Sequence, residues 1–291
     1  MKKYFLICCL LFVTSACHHA NDKQQTFFYQ GTDSYGRTVT IEKEPQRIVS
    51  LSASISEIIF LLHCEDKLAG ISDFCDYPPE TKDIPKVGKL LNLNIESILS
   101  VNPDLIFIGS IISKNDVEKL EQTGIPIFFL KKEDSIDDLY SSIQILGTIF
   151  QKTALADSLV QHYRKEIEQF RNAGQQTLPT VYYVAGFGQT GDFTAPGNSF
   201  IHDIITLAGG ENIGKDLTQW SISREHIFEK NPDYIFIRKE DLDIFCHTYP
   251  YTLLDAVKNG RVYPIESGWI DIVTPRNIEA IKYIREIIHR P

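Results

Sequence analysis

The chain has 291 residues and a mass of 33.2 kDa, and 43% of its residues are hydrophobic while 23% are charged. This composition is that of a globular protein and excludes disordered, collagen-like and multi-span membrane chains, and the length suits about two domains or one large α/β unit. The 29 basic and 38 acidic side chains give a formal net charge of -9, which argues against broad binding to nucleic acid or to anionic lipid.

The N-terminus has the pattern of an export signal. Lys2 and Lys3 precede an uninterrupted apolar run over residues 4–13, and small residues follow up to Cys17. The apolar run covers only about half of the ~30 Å hydrocarbon layer of a membrane. We therefore predict a signal peptide over residues 1–16 and an exported protein.

Cys17 directly follows Ser-Ala, and this arrangement resembles a bacterial lipobox, although Thr14 stands where Leu is commonest. We predict that Cys17 is lipidated and that residues 17–35 form a tether and lead-in at the outer face of a membrane. A plain secretory signal with an incidental cysteine is the alternative.

One pattern occurs twice in the chain, over residues 96–108 and again over residues 225–237. In each copy a short amphipathic helix is followed by Asn-Pro-Asp and then by a continuous apolar run. The helix is expected to end before Asn-Pro because proline disfavours helical geometry in the preceding residue. The apolar run predicts a buried, parallel strand.

The other predicted elements alternate in the same way. Strands are predicted over residues 48–51, 68–71, 105–108, 127–130, 181–185, 234–237 and 262–265, and helices over 56–62, 116–123, 200–208, 253–258 and 277–289. Alternation of strands and helices in both halves predicts two α/β lobes with central, mainly parallel sheets.

A long helix is predicted between the two halves. Residues 153–172 contain no Gly or Pro, and apolar side chains recur at spacings of three and four: Leu155, Leu159, Tyr163, Ile167 and Phe170. We predict an N-terminal lobe over 36–150, a rigid bridging helix over 151–176 and a C-terminal lobe over 177–291. An ordinary core helix in a single domain is the alternative.

Motifs of catalysis and of metal binding are not found in the sequence. The run from Gly186 to Gly191 matches GxGxxG, but a loop containing Pro196 follows it instead of the helix that a dinucleotide site needs. Neither GxSxG nor SxxK nor CxxC occurs, and no histidines pair at ligand spacing. We predict that the protein is not an enzyme and holds no dedicated metal ion.

Three cysteines remain beside Cys17 after removal of the signal: Cys64, Cys75 and Cys246. Three thiols in an oxidising compartment permit at most one intramolecular disulfide. Cys64 with Cys75 is a conceivable pair.

Three aromatic side chains fall in predicted loops. Phe74 follows a strand, and the only two tryptophans, Trp220 and Trp269, both lie outside the apolar strands. Aromatic rings at a loop rim can stack on a large flat ligand. The alternative is that these rings fold over the ends of the sheets.

Several stretches match the motifs of one known family in that family's order: residues 47–57, 70–79, 102–104, 208–213, 223–225 and 256–263. They resemble the class III periplasmic binding proteins of ABC importers, which capture vitamin B12, ferric siderophores or haem, and the resemblance runs from about residue 36 to residue 291. It implies a ligand cleft between two lobes, a transported metal chelate in place of a resident cofactor, and an ABC permease with its ATPase as partners. A monomer is expected.

The resemblance also implies a role for two acidic residues. Glu57 and Glu225 match the family positions, one on each lobe, that dock onto arginines of the permease, where bidentate pairing would fix the register. Helix capping is the alternative for both residues. The chain departs from the family pattern in three places: Ala53 replaces a usual proline, His63-Cys64 stands where the family tends to have Gly and a small residue, and Lys89 lies near where haem-binding relatives often place a tyrosine. The lysine argues against haem.

The vitamin B12-binding members resemble the chain best in these loops. On that resemblance Phe74, Trp220, Trp269 and Arg276 line the cleft, and Asp271 accepts hydrogen bonds from ligand amides. Because only Arg276 among these residues is cationic, a corrinoid is favoured over an anionic siderophore. The remaining alternatives are a ferric-siderophore or haem binder, a bare-ion binder and an exported hydrolase on the same scaffold.

Overall fold

The computed structural model describes residues 27–89, 92–109, 113–130, 135–171 and 178–290. The predicted signal peptide, the lipidation of Cys17 and residues 17–26 of the tether lie outside these ranges. Within them, none of the helices has the length and apolar character needed to cross a membrane.

The strands are short, and most of them alternate with helices along the chain. They are β1 (Tyr29–Thr32), β2 (Thr38–Ile41), β3 (Ile48–Ser50), β4 (Leu68–Ile71), β5 (Gly88–Lys89), β6 (Asn92–Leu93), β7 (Leu105–Ile108), β8 (Ile127–Phe129), β9 (Thr180–Val184), β10 (Asp192–Phe193), β11 (Glu211–Asn212), β12 (Ser221–Ile222), β13 (Tyr234–Arg238) and β14 (Val262–Ile265).

The α-helices are α1 (Ala53–Leu61), α2 (Ile95–Ser100), α3 (Lys114–Glu121), α4 (Ile136–Ile149), α5 (Thr153–Arg171), α6 (Phe200–Leu207), α7 (Arg224–Lys230), α8 (Leu242–His247), α9 (Asp255–Lys258), α10 (Ser267–Ile270) and α11 (Asn277–Ile288). Short 3-10 turns cover Glu65–Lys67, Pro79–Asp83, Lys239–Asp241 and Tyr251–Leu253.

Two four-stranded sheets form the centre of the molecule, with the strand orders β4-β3-β7-β8 and β11-β9-β13-β14. Every pairing within them is parallel. When the strands of each sheet are numbered along the chain, both sheets have the order 2-1-3-4. This confirms the prediction of two α/β units with parallel sheets, and it shows that the repeated sequence pattern occupies the same place in each: β7 and β13 are the third strands.

The Asn-Pro-Asp turns join neighbouring strands in both sheets. Asn102 and Asn231 adopt left-handed backbone geometry, with φ of 46° and 38°, a conformation that Asn tolerates better than most residues. The Asp104 carboxylate then accepts hydrogen bonds from the backbone N–H groups of Gln46 and Arg47, just before β3. Asp233 accepts equivalent bonds from the N–H and hydroxyl of Thr180, at the start of β9. The repeat thus ties the third strand of each sheet to the first.

The two sheets share one core. Because side chains alternate along a strand, one face of each sheet packs on the helices that lie between the sheets, and the other face packs on outer helices. The shared cluster includes Ile48, Ile58, Phe107, Ile143, Val160, Tyr183, Ile204, Phe236 and Ile281. Separate outer clusters include Ile98, Ile106 and Leu120 in the first unit and Ile227, Ile235 and Phe245 in the second.

Helix α5 lies between the two units and packs against both of them. Its buried residues Ala156, Val160 and Ile167 belong to the shared core, and the helix packs on α4 of the first unit and on α6 and α11 of the second. The last part of the predicted helix, residues 172–176, lies outside the described ranges.

Gly147 allows α4 and α5 to approach closely. A Cβ atom added at Gly147 would lie 2.3 Å from the Cβ of Ala156. Gly→Ala in a helix usually stabilises by about 0.5 to 1 kcal/mol, but this overpacked contact reverses the sign, and we expect Gly147→Ala to destabilise by about 1 to 3 kcal/mol. Urea unfolding followed by circular dichroism measures the change.

The matched control is the swap Gly147→Ala with Ala156→Gly, which restores the space between the helices. It should recover much of the stability lost in the single variant. A single variant more stable than the parent would contradict the close packing.

Candidate ligand cleft and docking surface

Ligands of open α/β sheets bind outside the carboxyl ends of the parallel strands, so a ligand site is expected there. We call the loops that follow the strands of the two sheets the carboxyl edges. Tyr77 follows β4 and Arg276 follows β14, and the Arg276 guanidinium lies 4.1 Å from the centre of the Tyr77 ring. This contact brings the carboxyl edges of the two sheets together.

Phe74 is presented at the first carboxyl edge by a tight turn. Its ring is 59% exposed. The backbone N–H of Phe74 donates to the Ser72 hydroxyl, and the N–H of Cys75 donates to the Ser72 carbonyl. The Lys86 ammonium donates to the Cys75 carbonyl. These bonds hold the loop in place, so that the exposed ring is carried by an ordered backbone.

The two tryptophans differ in their surroundings. Trp220 is 41% exposed, just before β12, and its carbonyl accepts a hydrogen bond from the N–H of Thr194. Trp269 lies on α10, is partly buried, and packs edge-to-face on Tyr283 with ring centres 6.0 Å apart. The exposed part of Trp220 is therefore available to a ligand. The Trp269 ring is packed in part against the core, so that less of it is available.

The predicted polar ligand residues have partners within the protein. Asp271 accepts hydrogen bonds from the Tyr183 hydroxyl at 2.7 Å and from Arg238 Nε at 2.9 Å. Burial, together with the Asp271 charge, raises the pKa of Tyr183 above its ordinary value, so this phenol stays protonated and donates. Arg276 pairs with Glu57. Each predicted polar anchor thus has a charged or hydrogen-bonding partner inside the protein.

Glu57 and Arg276 form a bidentate pair between the first and second units. Arg276 Nε donates to Glu57 Oε2 at 3.0 Å, and its Nη2 donates to Oε1. The exposed fractions of the side chains are 4% for Glu57 and 16% for Arg276. Burial raises the pKa of the Glu57 carboxyl, and the bonds from Arg276 offset this effect only in part.

The helix-capping alternative does not apply to Glu57. Helix α1 begins three residues earlier than predicted, at Ala53, with Ser52 as its cap. Glu57 is therefore in the second turn of the helix and outside the reach of the N-terminal N–H groups.

Glu225 is placed very differently from Glu57. It is exposed in the first turn of α7, after the Ser223 cap. Its neighbour Arg224 is fixed, because its Nε donates to Asp192 at 2.9 Å and its Nη2 donates to the Gly188 carbonyl at 2.7 Å. Of the two predicted docking acids, only Glu225 can meet a partner without a rearrangement.

A cavity of about 840 Å³ lies beside the Glu57–Arg276 pair. It is lined by α1, the Tyr77-Pro78 segment, α5 and the start of α11, with apolar walls from Leu155 and Leu159. Phe74, Trp220, Trp269 and Asp271 are not among its lining residues. The sequence missed Tyr163, which also lines this cavity and whose pKa burial raises to about 12.

Cys64, Cys75 and Cys246 are all free thiols, so the conceivable Cys64–Cys75 disulfide is not formed in this structure. Burial raises the pKa of each thiol, which keeps them protonated near neutral pH. In the ranges that the structure describes, three or more His, Cys, Asp or Glu side chains do not come together in a group that could hold a metal ion.

Comparison with known proteins gives consistent matches. An uncharacterised ABC transporter substrate-binding lipoprotein, YvrC of Bacillus subtilis, is 27% identical over 93% of this chain and 88% of its own length. A vitamin B12-binding protein of Vibrio vulnificus is 27% identical over 86% of this chain and 92% of its own. The crystal structure of a periplasmic heme binding protein from Pseudomonas aeruginosa shares the fold, with a TM-score of 0.76 at 22% identity over 84% of this chain and 93% of its own.

The family profile described as periplasmic binding protein matches residues 48–267, which is more than half of the chain. This match covers both central sheets and the helix between them. The chain therefore belongs to the periplasmic binding protein family, whose members are substrate-binding transport proteins and not enzymes.

Proposed function

We propose that this protein is the lipid-anchored, exported substrate-binding subunit of an ABC importer, and that it captures an intact cobalamin or related corrinoid and delivers it to the membrane permease. Proteins of this class work with a permease and an ATPase. The relatives named vitamin B12-binding protein support the ligand class, and the lipoprotein relative supports the anchor.

One observation carries the choice of ligand. The carboxyl edges present exposed aromatic rings, while the arginines near them are neutralised by carboxylates: Arg224 by Asp192, Arg238 by Asp271 and Arg276 by Glu57. Corrinoids are large, fringed with amides and only modestly charged. Haem carries two carboxylates, and many ferric siderophores are anionic, so both would favour unpaired guanidinium groups.

The test is a titration of the mature chain with Cys17 replaced by Ser. Cyanocobalamin, the anionic siderophore ferric enterobactin and haem are added in turn, and binding is followed by calorimetry and by the fluorescence of the two tryptophans. We expect saturable 1:1 binding that is tightest for cyanocobalamin and releases it unchanged. Tighter binding of haem or ferric enterobactin, or no binding of cyanocobalamin, would refute the proposed ligand.

The alternative ligand within this class is haem or a ferric siderophore. Tyr77, which is 43% exposed, favours it, because a phenol oxygen is a suitable ligand for ferric iron. On this alternative, Tyr77→Phe would abolish the absorption change that haem undergoes on binding. Cyanocobalamin binding should be insensitive to that loss of a hydroxyl.

Trp220→Ala is expected to weaken cyanocobalamin binding by roughly 10- to 100-fold, because a buried tryptophan contact contributes about 1 to 3 kcal/mol. Calorimetric titration measures the change. Trp220→Phe should retain most of the affinity. Leu99→Ala is a control, since Leu99 is 37% exposed on α2, before β7 and away from the carboxyl edge. Equal losses in the Leu99 and Trp220 variants would contradict the placement of the ligand.

A further inference from the structure

The second sheet has a topological switch point between its first and third strands, β9 and β13. In this sheet the chain passes from β9 to β11 on one side and then to β13 on the other side of β9. Such a point leaves a crevice at the carboxyl ends of the two strands, where ligands bind. Tyr183 lies near the end of β9, and Arg238 is the last residue of β13. Both side chains are therefore placed where a ligand is expected.

Arg238 lies on the face of the second sheet that is turned toward the first unit. Side chains alternate along a strand, so Arg238 shares a face of β13 with Phe236, two residues earlier. Phe236 and Tyr183 both belong to the core that the two sheets share. The Arg238 side chain is 35% exposed. Its guanidinium is thus located where the shared core ends and the cleft between the units begins.

Asp271 holds the Arg238 guanidinium by one nitrogen. Arg238 Nε donates to Asp271 Oδ2 at 2.9 Å, and Asp271 Oδ1 accepts from the Tyr183 hydroxyl at 2.7 Å. Burial and the Asp271 charge raise the pKa of Tyr183, and the nearby Arg238 charge offsets part of this rise. In the described part of the chain, no second acidic side chain lies within ion-pair distance of Arg238. Its Nη1 and Nη2 groups therefore form an edge of two donors that no protein carboxylate occupies.

The other two carboxylate-paired arginines near the carboxyl edges do not offer such an edge. Arg276 uses Nε and Nη2 for the Glu57 carboxylate, and its side chain is only 16% exposed. A Cβ atom added at Gly268 would lie 2.2 Å from Arg276 Nη1, so this third nitrogen rests on the backbone of α10. Arg224 uses both Nε and Nη2 for partners within the protein. Arg238 is thus the arginine of this set with the most donor groups available to a ligand.

Two parallel N–H donors fit a ligand group with two oxygens, such as a phosphodiester, better than an amide with its single carbonyl oxygen. A cobalamin carries one phosphodiester, in its nucleotide arm. Because Asp271 already balances the Arg238 charge, the pair suits one isolated negative charge and not the several charges of an anionic siderophore. We propose that Arg238 binds the phosphodiester of the nucleotide arm through Nη1 and Nη2, and that Asp271 is a positioning residue for Arg238. This inference rests on the proposed corrinoid-binding function.

Dicyanocobinamide separates this contact from the rest of the ligand, because it has the corrin ring but lacks the nucleotide arm and its phosphodiester. Calorimetric titration of the mature chain with Cys17 replaced by Ser measures its affinities for cyanocobalamin and dicyanocobinamide. Arg238→Gln should weaken cyanocobalamin binding about tenfold, as expected for lost hydrogen bonds from a charged group, and should change dicyanocobinamide binding by less than about twofold. Arg238→Lys keeps the charge but not the two-donor edge, and it should weaken cyanocobalamin binding about threefold.

Asp271→Asn tests the positioning role. It should also weaken the binding of cyanocobalamin and leave that of dicyanocobinamide nearly unchanged. The double variant with Arg238→Gln should lose no more affinity than Arg238→Gln alone, because the two side chains act as a unit. A merely structural role of Asp271 would instead lower both affinities together.

The matched control is Arg224→Gln, which removes another carboxylate-paired guanidinium and the same charge from the second unit. It should leave the ratio of the two affinities unchanged. Equal effects of Arg238→Gln on both corrinoids, no effect on either, or the same change of ratio in the Arg224 variant would overturn the inference and leave the proposed function standing. If the unsubstituted protein binds neither corrinoid, the proposed function fails and the inference fails with it.

Discussion

Replacing Gly197 with alanine is expected to destabilise the protein by about 3 kcal/mol, at the upper end of overpacking effects. The loop that contains Gly197 packs on the turn after β11, and the Gly197 N–H donates to the Leu217 carbonyl at 3.1 Å. A Cβ atom added at Gly197 would lie 1.9 Å from the backbone carbonyl oxygen of Lys215. A backbone oxygen cannot rotate away as a side chain can, so one of the two loops must move.

Thermal unfolding measures the effect, and Tm should fall by roughly 6 to 12 °C. The control is Gly124→Ala. Gly124 has a φ of +73° and nothing within 4 Å of an added Cβ, so only the left-handed conformation opposes the substitution, at about 1 to 2 kcal/mol. A Gly197 variant that is no less stable than the Gly124 variant would show that the two loops are not in close contact.

The central strands were predictable because their signal is local. The apolar runs at 68–71, 105–108 and 262–265 coincide with β4, β7 and β14. The reason is clearest in β7, which is buried at all four positions, because a parallel strand covered on both faces needs apolar side chains at successive positions. The long polar–apolar periodicity of α5 was visible for the same reason. In these elements, the buried positions give an apolar pattern that can be recognised within a short stretch of sequence.

Helix α4 was not predicted, although its signals are present. Ser135 and Asp138 form a capping box at its start, and Leu139, Ile143 and Leu146 follow at helical spacing. Gly147 near its end weakens the helical pattern, and the reason for a glycine there is the Cβ of Ala156 on α5. This contact joins two different helices, and local helix propensity cannot reveal it because propensity depends only on residues that are close together in the sequence.

In the candidate site, too, contacts between distant segments could not be predicted from the local sequence. Phe74 and Trp220 were predicted as ligand contacts because an aromatic residue in a predicted loop can be recognised in the sequence, and both are exposed in the structure. The partners of the charged residues were not predictable. Whether Arg276 meets a ligand or Glu57, and whether Asp271 meets an amide or Arg238, depends on how the segments after different strands pack together.

Glu225→Arg is expected to reduce uptake of cyanocobalamin by at least tenfold while leaving its affinity for the purified protein unchanged. Reversing the charge places a cation opposite the proposed permease arginine, and like charges juxtaposed in an interface cost several kcal/mol. The effect should be confined to docking, because Glu225 is exposed and the cap of α7 comes from the Ser223 hydroxyl, which accepts from His226.

Helix α7 itself offers the matched control for this experiment. Glu229 is also exposed, about one turn further along the same helix, so Glu229→Arg makes the same change in net charge on the same element. Stimulation of the ATPase in nanodiscs separates docking from ligand binding. It should be lost in the Glu225 variant and retained in the Glu229 variant, because a docking acid acts by its position and general surface charge does not. Equal loss in both variants would mean that the acidic surface as a whole attracts the permease, and Glu225 would then have no specific docking role.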